Sequence, residues 1–564
     1  MTRTLTMARA LGPLAGAWAM ASLASLAPSP VPAGETGEKA DAHVLQAEIA
    51  LQRDEYKRAS EEYREAAKRS KDVEIAKQAT QVSYTYGFNE DALESAERWV
   101  ELDEGSDEAL LYLAQLQLRN GKLRHARRSF RELLSRGDDP ADERLVALIP
   151  FLSEEDPEDG QWLMSELAED YEESARAQYA AGVMALQAED SKEARKRAEK
   201  AIKLDPDWIQ PQLLYARSLL LSGDKKAAID YAARLVGDDP DPDPQARLEL
   251  AVMYLSADRD DDALSQVNQI LLEQPARTDA LRLMAIINFS NDNLDAAWSD
   301  FQDLLSSGQY TMDALFYLGR IADRRLQREE AISLYSQVIS GPNTVMAQRR
   351  AAALTAEQGE PEEALEHLQE FAETHPRHAV DMMQVRAQLL GSLGRFDDAL
   401  GLYERVIDYR PDDEQPVLGR AELLLQMGRV DDAIDEYRQA VHRWPDSAFS
   451  LNALGYTLAD RTDRYDEAEK LIRKALEIEP ESGAIIDSWG WVLYRQGKAE
   501  RALVELRRAW DVLKDPEVAA HIVEVLWKLG RTDEAKRELA QAEKLFPKDK
   551  LLQRVRERAF PDES

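Results

Sequence analysis

Asn452–Trp510 reads NALGYTLADRTDRYDEAEKLIRKALEIEPESGAIIDSWGWVLYRQGKAERALVELRRAW, and it contains one pattern twice. Gly455 and Gly490 each sit in a first helical segment, a turn follows, and Ala468 and Ala502 sit in a second. A helical position that stays small lets another helix approach closely, and two amphipathic helices cannot bury both of their apolar stripes against each other alone. Each copy therefore needs neighbours. Tracing the alanine outward finds Ala59, Ala92, Ala126, Ala194, Ala228, Ala263, Ala297, Ala331, Ala364, Ala399, Ala433, Ala468, Ala502 and Ala535, in steps of 33 to 35 residues with one double step. The double step, Ala126 to Ala194, has its midpoint at Gly160, inside a weaker copy spanning roughly residues 141 to 174.

Further marks share this register. An aromatic stands four positions after the alanine at Tyr63, Phe130, Phe301, Tyr335, Tyr403 and Tyr437, and copies close on Pro206, Pro240, Pro275, Pro376, Pro411, Pro445, Pro480 and Pro547. Period, small residue, alanine, aromatic and proline together resemble the tetratricopeptide repeat over residues 40 to 549. The resemblance implies an all-α chain, an α-solenoid coiled as a right-handed superhelix of about fifteen helix-turn-helix units. The expected organisation is a signal peptide at 1–33, a short linker at 34–40, the repeat superhelix at 41–549, and a capping helix with tail at 550–564, where KLLQRVRERAF covers the last apolar face.

Composition narrows the function classes. Lys and Arg total 71 against 106 Asp and Glu, a net charge of −35, which disfavours nucleic acid and anionic lipid as partners. The charge either steers a basic ligand or solvates the surface. The absence of cysteine removes disulfides, thiol chemistry, sulfur-bound metals and any lipid-anchor cysteine. Arg3 and Arg9 precede ALGPLAGAWAMASLASLA, a pattern that reads as an export signal, with Val31-Pro32-Ala33 as the cleavage site. The rival reading is a retained anchor helix, which Pro13 and the many small residues oppose. The expected location is the periplasm, with membrane association only through partners.

The hairpin turns carry Gly121, Gly223, Gly359, Gly394, Gly428, Gly497 and Gly530, each suited to a positive φ after a helix. The rhythm breaks twice, at DDPDPDP (238–244), read as a bend or longer loop, and at ADRTDRY (459–465), a lengthened turn.

Nothing in the sequence reads as chemistry. HExxH, GxSxG, a P-loop and a strand-linked GxGxxG are all missing, and the seven histidines are scattered. No catalytic residue, metal ligand or cofactor is expected. In the repeat family the first helix of each unit lines the inner wall and holds peptides. Reading the inward positions finds two surfaces. One is aromatic, with Asn452, Tyr456, Asp487, Trp491, Tyr494, Glu524 and Trp527; the alternative is that Trp491 and Trp527 pack against adjoining units or the cap. As binding residues, Trp491 and Tyr494 replaced by Ala should weaken partner binding more than stability. The other is basic, with Arg217, Arg282, Arg320, Arg324 and Arg349, either an anion-binding wall or a set of ion pairs to the next unit.

The segments NALGYTLADRT, DSWGWVLYRQG and EVAAHIVEVLWKLG, with the exported start and the number of units, resemble a bacterial outer-membrane repeat lipoprotein that serves as adaptor for a periplasmic carboxyl-terminal processing protease. The resemblance rests mainly on residues 449 to 530 and implies a protein-binding adaptor that brings the protease to peptidoglycan hydrolases. This chain departs from that family in having no cysteine to lipidate. The competing reading is an assembly or export factor for envelope polysaccharide or secretion machinery. Self-association into a homo-oligomer is compatible with either.

Overall fold

The computed structural model describes residues 38–136, 140–237, 243–547 and 549–560. The expected signal peptide lies outside the described residues, as does most of the proline-rich bend at 238–244. The described residues form thirty-one α-helices and two short 3-10 turns, with no strand among them: fifteen consecutive helical hairpins and a last unpaired helix, Lys550–Ala559. This is the all-α solenoid class that the period predicts. The first helix, Glu38–Leu51, begins inside the stretch read as a polar linker. The helices fall into two compact units, one up to Met382 and one from Met383.

Local chemistry sets each hairpin. Ser106, Ser174 and Ser447 cap first helices by accepting a backbone N–H three residues on, while Asp243, Asp413 and Asp515 accept one two residues on. All seven turn glycines named above have φ between 68° and 95°. Elsewhere the same place is taken by residues with a Cβ, and Leu326 is the least suited, with φ 60° and its side chain 80% exposed. A branched side chain in the left-handed region costs about 1–2 kcal/mol. Leu326→Gly should therefore stabilise the protein by roughly 1 kcal/mol, read as a higher denaturant midpoint at unchanged slope. The turn at 462–464 has no positive φ. Thr462 is extended, accepts the Arg464 N–H through its hydroxyl (3.1 Å) and donates to the Leu458 carbonyl (2.5 Å), which absorbs the longer loop.

Packing explains the alanine register. All fourteen alanines are fully buried, and so are Tyr63, Phe130 and Phe301 four residues on. A Cβ on Gly490 would lie 2.7 Å from the Leu506 side chain and 3.3 Å from the Ala502 carbonyl; one on Gly455 would meet Ile472 and Ala468 in the same way. Helix closeness, not backbone freedom, is what these two glycines supply. In the fourth hairpin Gly160 replaces the alanine, with the Met184 side chain 2.8 Å and the Leu152 carbonyl 3.3 Å from where a Cβ would be. The core of the first unit runs through side chains such as Phe130, Leu163 and Met184, and that of the second through Leu454, Ile472 and Leu493. Within the first unit the stack curves far enough for Gln369 of the tenth hairpin to donate to Asp54 of the first (3.4 Å). Arg377 likewise reaches Glu154 of the fourth (3.8 Å).

Candidate binding surface on the first helices

Three first helices of the second unit, Ala448–Arg461, Gly483–Arg495 and Pro516–Lys528, bring the predicted aromatic residues together. Their centre is a residue that sequence reading set aside as scattered, His521. It is 7% exposed and bonds through Nδ1 to both Asp487 oxygens, at 3.0 and 2.9 Å. Trp491 stacks on its imidazole, with ring centroids 4.1 Å apart, and donates Nε1–H to Asp460 (3.2 Å). Tyr456 donates its hydroxyl to Glu517 (2.8 Å), and Tyr494 donates to Glu524 (3.3 Å), which Arg558 of the last helix also holds (2.7 Å). Burial pushes the Tyr456 and Tyr494 hydroxyls up, and the adjacent carboxylates of Glu517 and Glu524 add to it.

The arrangement divides the predicted residues. Trp491 (6% exposed) and Asp487 are interior, covered by the adjoining hairpin, which is the packing alternative. Trp527 is 38% exposed, and Tyr456, Tyr494 and Glu524 are half-buried. Asn452 is half-buried too, and its side-chain oxygen is buried without a hydrogen-bond partner. The face left open is thus Trp527 and the tyrosines, rimmed by Glu517 and Glu524. It suits a partner segment that offers apolar rings and cationic groups.

His521 makes this face depend on pH. Burial alone would lower its pKa, but the Asp487 carboxylate, aided by Glu517 and Glu524, outweighs that and raises it. The charged pair therefore contributes its full stability below the unfolded value of about 6.5 and loses it as pH rises through the folded value. The thermal midpoint of the protein should exceed that of His521→Gln by more at pH 6 than at pH 9; an equal difference at both would mean the imidazole is neutral throughout.

The basic residues do not form a wall. Arg217 is bidentate to buried Glu249 (Nε to Oε2, 2.8 Å), and Arg282 holds Asp313 (2.7 Å) while lying over Tyr310. Arg324 reaches Asp292 (3.0 Å), and Arg320 covers the Phe289 ring at 4.6 Å. Arg349 is exposed, while its neighbour Arg350 takes Asp323 (2.6 Å). Arg217 and Arg282 are committed to acids on the first helix of the next hairpin, the ion-pair alternative, because a first-helix side chain lies beside its counterpart in the next unit, while Arg324 pairs back to the turn of the preceding one. A second aromatic face was missed. Tyr84 and Tyr112 meet edge to face (5.2 Å), Arg119 lies over Tyr84 at 4.5 Å, and Tyr56 stacks on Tyr86. The inward positions that yielded Trp491 yield Tyr84 when applied to the second hairpin.

Among the described residues, no group of three or more His, Cys, Asp or Glu is placed to hold a metal ion, and no helix is long and apolar enough to cross a membrane.

Comparison with known proteins agrees with the repeat reading. Tetratricopeptide repeat families match residues 219–287, 313–342, 350–414, 385–448 and 418–483. The TPR repeat-containing protein PA4667 of Pseudomonas aeruginosa is 35% identical over 211 residues, 37% of this chain and 36% of its own length. The match thus spans about a third of that relative. Among solved structures, a thermophilic TPR protein of Thermus thermophilus is 26% identical over 32% of this chain and 99% of its own, with a TM-score of 0.30. The tetratricopeptide repeat protein of Parabacteroides merdae is 14% identical over 44% of this chain and 98% of its own, with a TM-score of 0.34. With the alanine register, the fifteen hairpins and the matching repeat families in place, this chain carries tetratricopeptide repeats.

Proposed function

We propose that the chain is an exported, non-catalytic adaptor of the periplasm that brings a processing protease to cell-wall hydrolases. Repeats of this family mediate protein–protein interaction, and the observation that carries the reading is the open face of Trp527, Tyr456 and Tyr494 beside Glu517 and Glu524. Partly exposed aromatic rings with hydrogen-bonding neighbours are the usual anchors of protein interfaces. The segments around that face are the ones that resemble the adaptor lipoproteins, and holding two proteins on one chain raises their effective concentration without new chemistry. Without a lipidated cysteine, any membrane association comes through partners. Crosslinking in cells followed by mass spectrometry tests this. The expected product joins this chain to a carboxyl-terminal processing protease and to a peptidoglycan hydrolase, and Trp527→Ala should reduce capture without lowering the thermal midpoint. Recovery of neither enzyme, or a deletion that alters polysaccharide secretion while leaving hydrolase levels unchanged, would replace this reading with an assembly role.

A further inference from the structure

The strongest basic feature of this acidic chain lies on a second helix of the first unit. Leu123–Arg136 places Arg124, Arg127, Arg128 and Arg131 at i, i+3, i+4 and i+7, one stripe opposite buried Ala126, Phe130 and Leu134. No other hairpin has a base at all four positions. These arginines, with Trp162 and Glu166 of the neighbouring hairpin, line a cleft of about 540 Å³.

Two observations separate the stripe from a solvated helix face. Twelve of the fifteen second helices begin with Asp or Glu in the first turn, where the helix dipole favours an acid, and this one begins with Arg124. In the other two exceptions Arg58 is engaged with Glu55 (3.0 Å) and Lys225 with the Ser256 carbonyl, and although Lys226 is exposed in the place of Arg124, no run of bases continues from it along the helix. The second observation is incomplete pairing. Arg127 is held by Glu166 and Arg131 by Asp170, yet Arg124 and Arg128 are exposed without an ion pair among the described residues. The Nε of Arg127 is also buried without an acceptor. A local rule broken without compensation inside the chain marks a site kept for something outside it.

We propose that this cleft binds an acidic peptide segment of a partner protein, with carboxylates on Arg124 and Arg128 and an apolar side chain against Trp162. Four residues apart on one helix face, Arg124 and Arg128 have their Cβ atoms about 6 Å apart, so that their side chains can serve two carboxylates of one short segment, each taken by a planar fork. The charge balance favours carboxylates over a polyanion. Glu166 and Asp170 already neutralise two of the four arginines, and a long polyanion reaching past the cleft would come within the screening length of about 8 Å of the acidic remainder of the chain, where a short segment would not. This surface lies on other hairpins than the Trp527 face, so the proposal stands or falls apart from the adaptor reading.

Isothermal titration of the full chain at low salt with the synthetic peptide acetyl-(Glu-Glu-Gly-Phe)₃-amide tests it, with the Gln-for-Glu peptide and inorganic phosphate as controls. The acidic peptide should bind and both controls should not. Arg124→Glu with Arg128→Glu should cost about ten- to a hundredfold in affinity, the order expected for losing charged hydrogen bonds. The same variant should hold or raise the thermal midpoint, because it returns an acid to the first turn; Trp162→Ala should weaken binding again. Equal binding by parent and variant, phosphate binding as tightly as the peptide, or a fall in the midpoint of the variant would each overturn the proposal. So would a dimer that depends on Arg124 and Arg128, which would make a second copy the occupant.

Discussion

Trp491→Ala should lower stability by about 3–5 kcal/mol, the cost of deleting a large buried ring and leaving its cavity. The indole is 6% exposed, closes over the His521 imidazole at 4.1 Å, and satisfies Asp460 through Nε1. Its loss uncovers a buried charged pair as well as apolar surface. Each hairpin of a repeat array contacts mainly its neighbours, so the damage should be local. Amide exchange should speed up over residues 448–560 while the first unit keeps its protection. Trp527→Ala, at a ring 38% exposed, should change the thermal midpoint little and act on partner binding instead. A Trp491→Ala protein of parental stability would show that the ring is an open binding residue.

The second large effect concerns Arg217 and Glu249. Glu249 is 2% exposed and holds the guanidinium through both oxygens, linking the sixth and seventh hairpins. Glu249→Ala leaves a desolvated cation without its partner and should cost about 3 kcal/mol, the lower end for broken buried pairs because Arg217 keeps some solvent access. Replacing the pair together, Arg217→Met with Glu249→Leu, should be close to neutral, since apolar side chains of similar volume carry no desolvation cost. The double-mutant cycle in denaturant melts then gives the coupling. If each single substitution is harmless, Arg217 is solvated and belongs to the anion-binding wall read from the sequence.

Both cases mark the boundary between what was legible and what was not. The charge of Arg217 and its inward register were plain, and so was the ring of Trp491. What each side chain meets comes from the next hairpin: Glu249 stands 32 residues after Arg217, Asp313 stands 31 after Arg282, and His521 stands 34 after Asp487. A search for opposite charges one period apart would have found these pairs and removed Arg217 and Arg282 from the binding candidates. The arginine stripe of Leu123–Arg136 was in view as RHARRSFR, but its meaning needed Trp162, Glu166 and Asp170 of the following hairpin to show which bases stay unpaired.

The sequence by itself determined the hairpins, their number, their turns and the fourteen buried alanines. A helix, its cap, a left-handed turn residue and a close helix pair are all encoded within about one 34-residue unit, where periodicity acts at short range. Tertiary structure alone decided which first-helix side chains are interior and which remain open. That outcome depends on the surface a neighbouring unit happens to present, and stacking buries Trp491 and Arg282 while leaving Trp527 and Arg349 exposed.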